Sequence, residues 1–359
     1  LFLHFFLFLF YSFEVGVSSF IILHHIVYGL GEQVRGINKR GWQYISWNYD
    51  NPNHEEDTRS LYGAHNFIII SGEKTVGVFF DYPGKMTFDI GYTRKDVMTV
   101  QAAENDLAVY IITGENEKDI TGQFRSLIGR SYIPPLWAFG YGQSRWGYKT
   151  ESDIRKVADE YDKLGIPIDS IYLDIDYMER YKDFTIDKNR FPDLEKLSQD
   201  MKAKGIHLVP IIDAGVKIED GYDVYEEGVE KNYFCKNAEG KDFVGAVWPG
   251  RVHFPDFMQP EAREWFGRKY SVLTELGIDG FWNDMNEPAI FYTEDRLSDT
   301  LSEIERLTSG NMGIDEYFKF TGMVAGLNGN KGDYDKFYHN VNGQRVKHSD
   351  VHNLYGMNM

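Results

Sequence analysis

Asp279-Gly-Phe-Trp-Asn-Asp-Met-Asn-Glu-Pro288 contains the last of four apolar runs in the second part of the chain, and it closes on acids. The earlier ones are Trp137-Ala-Phe-Gly-Tyr-Gly, the run 168–175 and the run 207–212. Amphipathic segments predicted as helices lie between them at 150–164, 194–204 and 261–276, the first opened by a Thr/Ser cap region. Strands that alternate with helices predict a parallel sheet with helices laid across it. At this level a (β/α)8 barrel and an open doubly wound sheet both stand. No Gly-x-Gly-x-x-Gly follows the first strand, which weighs against a nucleotide-binding sheet.

Working outward, residues 28–107 have a different rhythm. Short apolar runs such as Asn66-Phe-Ile-Ile-Ile, Val76-Gly-Val-Phe-Phe and Met86-Thr-Phe-Asp-Ile are broken by Gly, Pro, Asn and Asp. Strands at that spacing, with turn residues between them, predict an antiparallel sandwich. A further strand is expected at 107–112 and a linking helix at 119–128. The expected boundaries are a sandwich over 28–130 and a barrel-type domain over 131–359, with inserts after its third and fourth strands.

The first 27 residues fit neither pattern. Leu1 to Phe13 carries no formal charge, and the first Lys or Arg is Arg35. A basic leader region and a small-residue cleavage site are both missing from this stretch. Glu14 and Gly16 interrupt the apolar run well short of the roughly 20 residues a membrane helix needs. The reading preferred here is a truncated or mis-translated start, with two strands lying under the sandwich as the next.

Composition narrows the function. The chain has 359 residues, 42% of them hydrophobic and 16% aromatic, enough for a large core and more than one module. Thirty-eight basic against 55 acidic residues give a formal charge of −17, which makes nucleic acid an improbable partner because phosphate binding needs clustered cations. Neutral or cationic ligands suit that balance. Cys235 is the single cysteine, so no internal disulfide forms, and with no CxxC and no His near it in sequence it is expected to be inert.

Three successive predicted strands end in aspartate: Asp174 and Asp176 on the second, Asp213 on the third and Asp284 on the fourth. Any one aspartate after a strand is more often a helix cap than a catalyst, and Asp213 before Ala-Gly fits a cap well. An acidic cluster could also hold a hard cation such as Ca²⁺. Together, and with tryptophans nearby, the aspartates point to carboxylate chemistry on a sugar, which needs one nucleophile and one proton donor. Strand alternation sets Trp282, Asp284 and Asn286 on one face and puts Glu287 on the other. His253 and Asp256, in the insert after the third strand, are read as structural.

At this point the sequence resembles glycoside hydrolase family 31. The resemblance is carried by Gly280-Phe-Trp-Asn-Asp-Met-Asn-Glu-Pro-Ala, supported by Tyr172-Leu-Asp-Ile-Asp-Tyr-Met, Gly142-Gln-Ser-Arg-Trp-Gly-Tyr and Ala246-Val-Trp-Pro-Gly. Tyr28-Gly-Leu-Gly-Glu and His352-Asn-Leu-Tyr-Gly extend it, so it covers the chain from about Tyr28 to its end. It implies an all-β sandwich followed by the first half of an α/β, (β/α)8 barrel.

The activity it implies is release of terminal α-linked glucose from oligosaccharides with retention, with α-xylosidase or an inactive carbohydrate-binding relative as alternatives. Asp284 is then the nucleophile and Asp174 an acid that binds sugar hydroxyls. Trp248 and Trp282 wall the pocket, Trp146 stands near the leaving sugar, and Asp50 reaches in from a sandwich loop. The family's acid/base lies beyond His352-Asn-Leu-Tyr-Gly, so none is assigned within these residues and the chain alone is expected to be inactive. No metal or organic cofactor, nucleic acid or membrane is implied. A cytoplasmic location is expected, and oligomeric state is left open.

Overall fold

The computed structural model describes residues 6–11, 14–20, 25–103, 107–310, 312–327 and 329–359, and for 6–20 the backbone alone. The chain divides into two compact units, Leu1–Tyr132 with His348–Met357, and Ile133–Lys347 with Asn358–Met359.

The first unit holds strands β1 (Phe6–Tyr11), β2 (Glu14–Phe20), β3 (Ile26–Gly29), β4 (Trp42–Ser46), β5 (Phe67–Ser71), β6 (Thr75–Asp81), β7 (Met86–Ile90), β8 (Val97–Ala102) and β9 (Ala108–Gly114). They form two antiparallel sheets, ordered β1-β2-β8-β7-β4 and β3-β5-β6-β9. Every second residue turns inward: Met86, Phe88 and Ile90 on β7 and Met98, Val100 and Ala102 on β8 share one core with Ile68, Ile70, Val78 and Phe80. The apolar start contributes β1 and β2, a hairpin whose second strand pairs with β8. Its remaining residues, 1–5, 12–13 and 21–24, lie outside the described residues.

Helix α1 (Glu117–Ile128) starts where Asn116 accepts a hydrogen bond from Asp119 N, and it covers the outer face of the second sheet with Ile120 against Ile69 and Ile112.

The second unit opens with a correction. Trp137-Ala-Phe-Gly-Tyr-Gly is not a strand: after Pro134-Pro135 the chain makes a 3₁₀ turn over Leu136–Phe139, and strand β10 is only Gly142–Gln143. Pro135 sets an extended entry with no N–H to share, and the turn closes through Gly140 N to Trp137 O.

The alternation then runs through α2 (Glu151–Leu164), β11 (Ser170–Leu173), α3 (Leu194–Ala203) and β12 (His207–Ile212). Next come β13 (Val216–Lys217), α4 (Asp223–Glu230), β14 (Lys236–Asn237), β15 (Gly245–Val247) and β16 (Gly250–His253). They are succeeded by α5 (Pro260–Lys269), α6 (Ser271–Thr274) and β17 (Trp282–Asn283). A reciprocal pair of hydrogen bonds between Thr150 and Asp153 caps α2. Strands β10-β11-β12-β17 lie parallel in that order, a partial barrel sheet. The predicted 261–276 helix breaks at Tyr270 into α5 and α6.

The two inserts interlock. With β18 (Tyr292–Thr293), α7 (Glu294–Thr308), α8 (Ile314–Ala325), β19 (Phe337–Val341) and β20 (Gln344–Lys347), they form the sheets β13-β16-β15-β18 and β14-β19-β20. Phe243 stacks on Phe337 at 4.6 Å between ring centroids to seal their core.

Helix α9 (His348–Tyr355) packs on the first unit: His352 stacks on Trp47 at 3.8 Å and its Nε2 lies 2.7 Å from Asn48 O. Asn353 accepts from Asn48 N and donates to Gly84 O, which gives the His352-Asn-Leu-Tyr-Gly run a physical purpose. No helix among the described residues is long and apolar enough to cross a membrane.

Candidate active site

Parallel pairing brings the strand-end acids together. Leu173 is in register with Pro210 and Ile212 with Asn283, so Asp174, Asp213 and Asp284 come directly after the last residues of three adjacent strands. Asp284 N donates to Ile212 O at 3.0 Å, which holds Asp284 beside the end of β12. This is the carboxyl edge of the sheet, where the chain passes from ladder bonds into loops and side chains can converge. Gly280 is dictated by packing: the Trp137 ring would lie 2.6 Å from a Cβ there.

Burial and mutual repulsion set the charges. Asp174 is half-buried, and burial pushes its carboxyl above the usual range, with the Asp176 charge adding to the push and the hydrogen bond from Ile175 N opposing it. Asp213 is 3% exposed and is pushed up to about 8, first by burial and then by the charges of Asp284 and Asp174. Asp176 turns away from them to Arg190, 3.2 Å from its Nη1.

The helix cap that Asp213 before Ala-Gly could have formed is not what the fold makes of it. Ala214 and Gly215 lead from it into strand β13, the next helix begins only at Asp223, and the Asp213 carboxyl feels the charges of Asp284 and Asp174. A second acid, Asp183, was not singled out in the sequence. It sits on the loop after β11, 1% exposed, and its Oδ1 accepts from Asp213 N at 2.9 Å. The thirty-residue separation left no local pattern to reveal it.

Strand β17 ends at Asn283, so strand alternation does not set the face expected for Asp284, Asn286 and Glu287. Asn283 turns outward to the Tyr270 hydroxyl at 2.8 Å. The chain then leaves the strand, with Met285 at φ 55°, so alternation does not reach Asn286 or Glu287. Glu287 is buried.

The aromatic residues fall into two groups. Trp282 meets Tyr172 edge-on at 6.1 Å across the sheet. Trp146, 65% exposed, lies 6.2 Å from Trp248, 43% exposed, and Trp248 rests its edge against Phe291 at 4.9 Å. Exposed indoles backed by another ring can offer a flat apolar face to a ligand. Asp50 is exposed on a loop of the first unit after β4.

Among the described residues, Cys235, Asp256 and His339 are spaced for a metal, with ligand atoms within 4.8 Å of one another. Here a second expectation changes: Cys235 does have a histidine, with Sγ 3.5 Å from His339 Nδ1. His339 Nδ1 is 2.7 Å from Asp256 Oδ1, a hydrogen-bond distance, whereas two ligands of a tetrahedral ion stand about 3.3 Å apart when each bond is about 2.05 Å. The trio is thus a hydrogen-bonded lock between the inserts. Asp256 also accepts from Asn340 N and Gln259 Nε2, while burial pushes the Cys235 thiol up and keeps it protonated. His253, read as structural, is buried with Nδ1 2.7 Å from Phe243 O.

Comparisons with known proteins agree with this geometry. Residues 131–359 match the glycosyl hydrolases family 31 TIM-barrel domain, and 23–89 match the glycosyl hydrolase 31 N-terminal galactose mutarotase-like domain. Alpha-glucosidase 2 of Bacillus thermoamyloliquefaciens is 44% identical over 266 residues, 74% of this chain and 34% of the relative. An alpha-glucosidase of Saccharolobus solfataricus is 31% identical over 339 residues, 94% of this chain and 46% of the relative. Among solved structures, a Flavobacterium johnsoniae family 31 dextranase complexed with glucose superposes with a TM-score of 0.80 at 25% identity, covering 98% of this chain and 38% of that one. The chain thus spans about a third to a half of the length of these relatives.

Proposed function

This chain belongs to glycoside hydrolase family 31, and from that premise we propose that it supplies the nucleophile side of a retaining α-glucosidase site. The observation that carries the reading is Asp284, inside the family motif directly after β17, with its charge and that of Asp174 acting on the buried Asp213. An Asp284 carboxylate oxygen attacks the anomeric carbon of a terminal α-glucosyl unit. The bond from that carbon to the leaving oxygen breaks, and a covalent β-glycosyl ester forms. A proton must reach the leaving oxygen, and water then attacks the same carbon and frees Asp284. We assign neither proton step to a residue of this chain. Asp174 binds sugar hydroxyls, Trp248 and Trp282 flank the ring, and Trp146 faces the leaving sugar.

Substrate choice rests on the same support. The curated relatives are named alpha-glucosidases, and the dextranase neighbour is also described in a complex with isomaltotriose. We therefore favour α-1,6-linked glucosides such as isomaltose, with Trp146 narrowing the space for α-1,4 linkages.

The test is covalent labelling with 5-fluoro-α-glucosyl fluoride. Fluoride leaves without a proton donor, so trapping reports on the nucleophile alone. Mass spectrometry should place one glucosyl adduct on the peptide holding Asp284, and Asp284→Asn should abolish it while ligand binding stays detectable. A label on Asp174 or Glu287 would move the nucleophile, and faster labelling by the xylosyl analogue would change the sugar.

A further inference from the structure

We infer that Asp183 and Asp213 form a carboxyl–carboxylate pair that holds one proton in the resting protein, so that one fewer negative charge stands beside Asp284. The role for Asp284 rests on the function proposed above; the proton itself does not.

The pair stands on placement. Asp183 is 1% and Asp213 3% exposed, and the hydrogen bond from Asp213 N to Asp183 Oδ1 ties one acid to the other's backbone. One carboxylate oxygen of each, Asp183 Oδ2 and Asp213 Oδ1, is buried and accepts no hydrogen bond. Among the described residues neither acid forms an ion pair, unlike the neighbouring Asp176 with Arg190 and Lys182 with Glu219.

The groups facing the pair offer no compensation. Asp174 and Asp284 act on Asp213 with like charge, and Tyr177, Tyr222 and Tyr270 lie close enough to feel Asp183. Each of those hydroxyl protons is already committed: Tyr177 donates to Ile211 O at 2.8 Å, Tyr222 to Asp183 O at 2.7 Å and Tyr270 to Asn283 Oδ1 at 2.8 Å. Two carboxylates buried together without a cation or a free donor cannot both stay ionised, and taking up a proton is the cheapest way to satisfy them. Burial acts in that direction on both, and the Asp213 charge adds to it at Asp183.

The consequence is chemical. A proton on the pair removes one like charge beside Asp284, so the nucleophile stays ionised at a lower cost in repulsion. Asp183 is then a positioning residue that acts through Asp213 and never touches substrate.

Infrared spectroscopy of the chain labelled with ¹³C-aspartate tests this. At neutral pH the wild type should show the carbonyl stretch of a protonated carboxyl, shifted by the isotope and lost as pH rises past the titration of Asp213. Asp183→Asn and Asp213→Asn should each remove or displace that band. A wild type with no such band at neutral pH overturns the proposal even if no variant folds, and so does a band unchanged in both variants. A second readout is the pH profile of labelling by the fluorinated donor. Removing the Asp183 charge should shift it by about one pH unit or more without lowering the final extent of labelling. A protonated carboxyl band without labelling of Asp284 would retain the pair and sink the glycosidase reading. Labelling without the band would do the reverse.

Discussion

Replacing Asp213 by Asn should flatten the pH dependence of this protein's stability. In the folded chain the Asp213 carboxyl is pushed up to about 8, whereas an unfolded aspartate titrates near about 3.9. Its folded value is raised, so between those limits the native state binds the proton and the unfolded state has lost it. Stability therefore falls as pH rises through the window, by about 1.4 kcal/mol per pH unit for one proton. From about pH 5 to about pH 7 the loss is about 3 kcal/mol, and because Asp183 and Asp213 share the proton it is counted once. Asparagine keeps the shape, cannot ionise and should remove that slope. The assay is urea unfolding at three pH values for both proteins, compared at equal m. Near pH 5 the two should unfold at similar urea concentrations, and near pH 7 the variant should outlast the wild type. Parallel pH dependences would refute the argument, since they would mean that the proton taken up by the native state does not depend on Asp213.

The same structure sets two other outcomes. Trp146→Tyr, in an active enzyme containing this chain, should change the ratio of kcat/KM for isomaltose over maltose by about 10-fold or more, equivalent to about 1–3 kcal/mol. Since Trp146 is 65% exposed, its melting temperature should barely move; a large drop with an unchanged ratio would make it a packing residue. His339→Ala should destabilise the chain by about 1–3 kcal/mol because it strips the buried Asp256 side chain of a hydrogen-bond partner 2.7 Å away. Denaturant unfolding measures it, and a loss under about 1 kcal/mol would mean that the backbone and Gln259 donors already suffice.

Much of this protein was legible in the sequence because local chemistry carried it. Alternating apolar residues in 67–102 place the sandwich strands, and β11, α3 and β12 fall where the strand–helix rhythm set them. The Gly280-to-Ala289 run pointed to the family and to Asp284. Where local signals failed, neighbours decided. Trp137 to Tyr141 has strand composition, yet Pro135 before it and a single partner strand beyond it leave a turn and two ladder residues. The face on which Glu287 lies was not set by alternation, because β17 ends at Asn283 and the backbone turns at Met285.

The candidate site divides in the same way. Which strands end in acid is written in the chain, since each Asp closes its own apolar run. Which of those acids are charged is not. Asp213 before Ala-Gly has the local form of a cap. Only the fold brings Asp183 to its backbone from thirty residues away, buries both and aligns it with Asp174 and Asp284. Cys235 likewise gains His339 from 104 residues along the chain. Identity and spacing are local properties that sequence determines. Protonation depends on the water and charges excluded from around a group, and that exclusion exists only once the chain has packed.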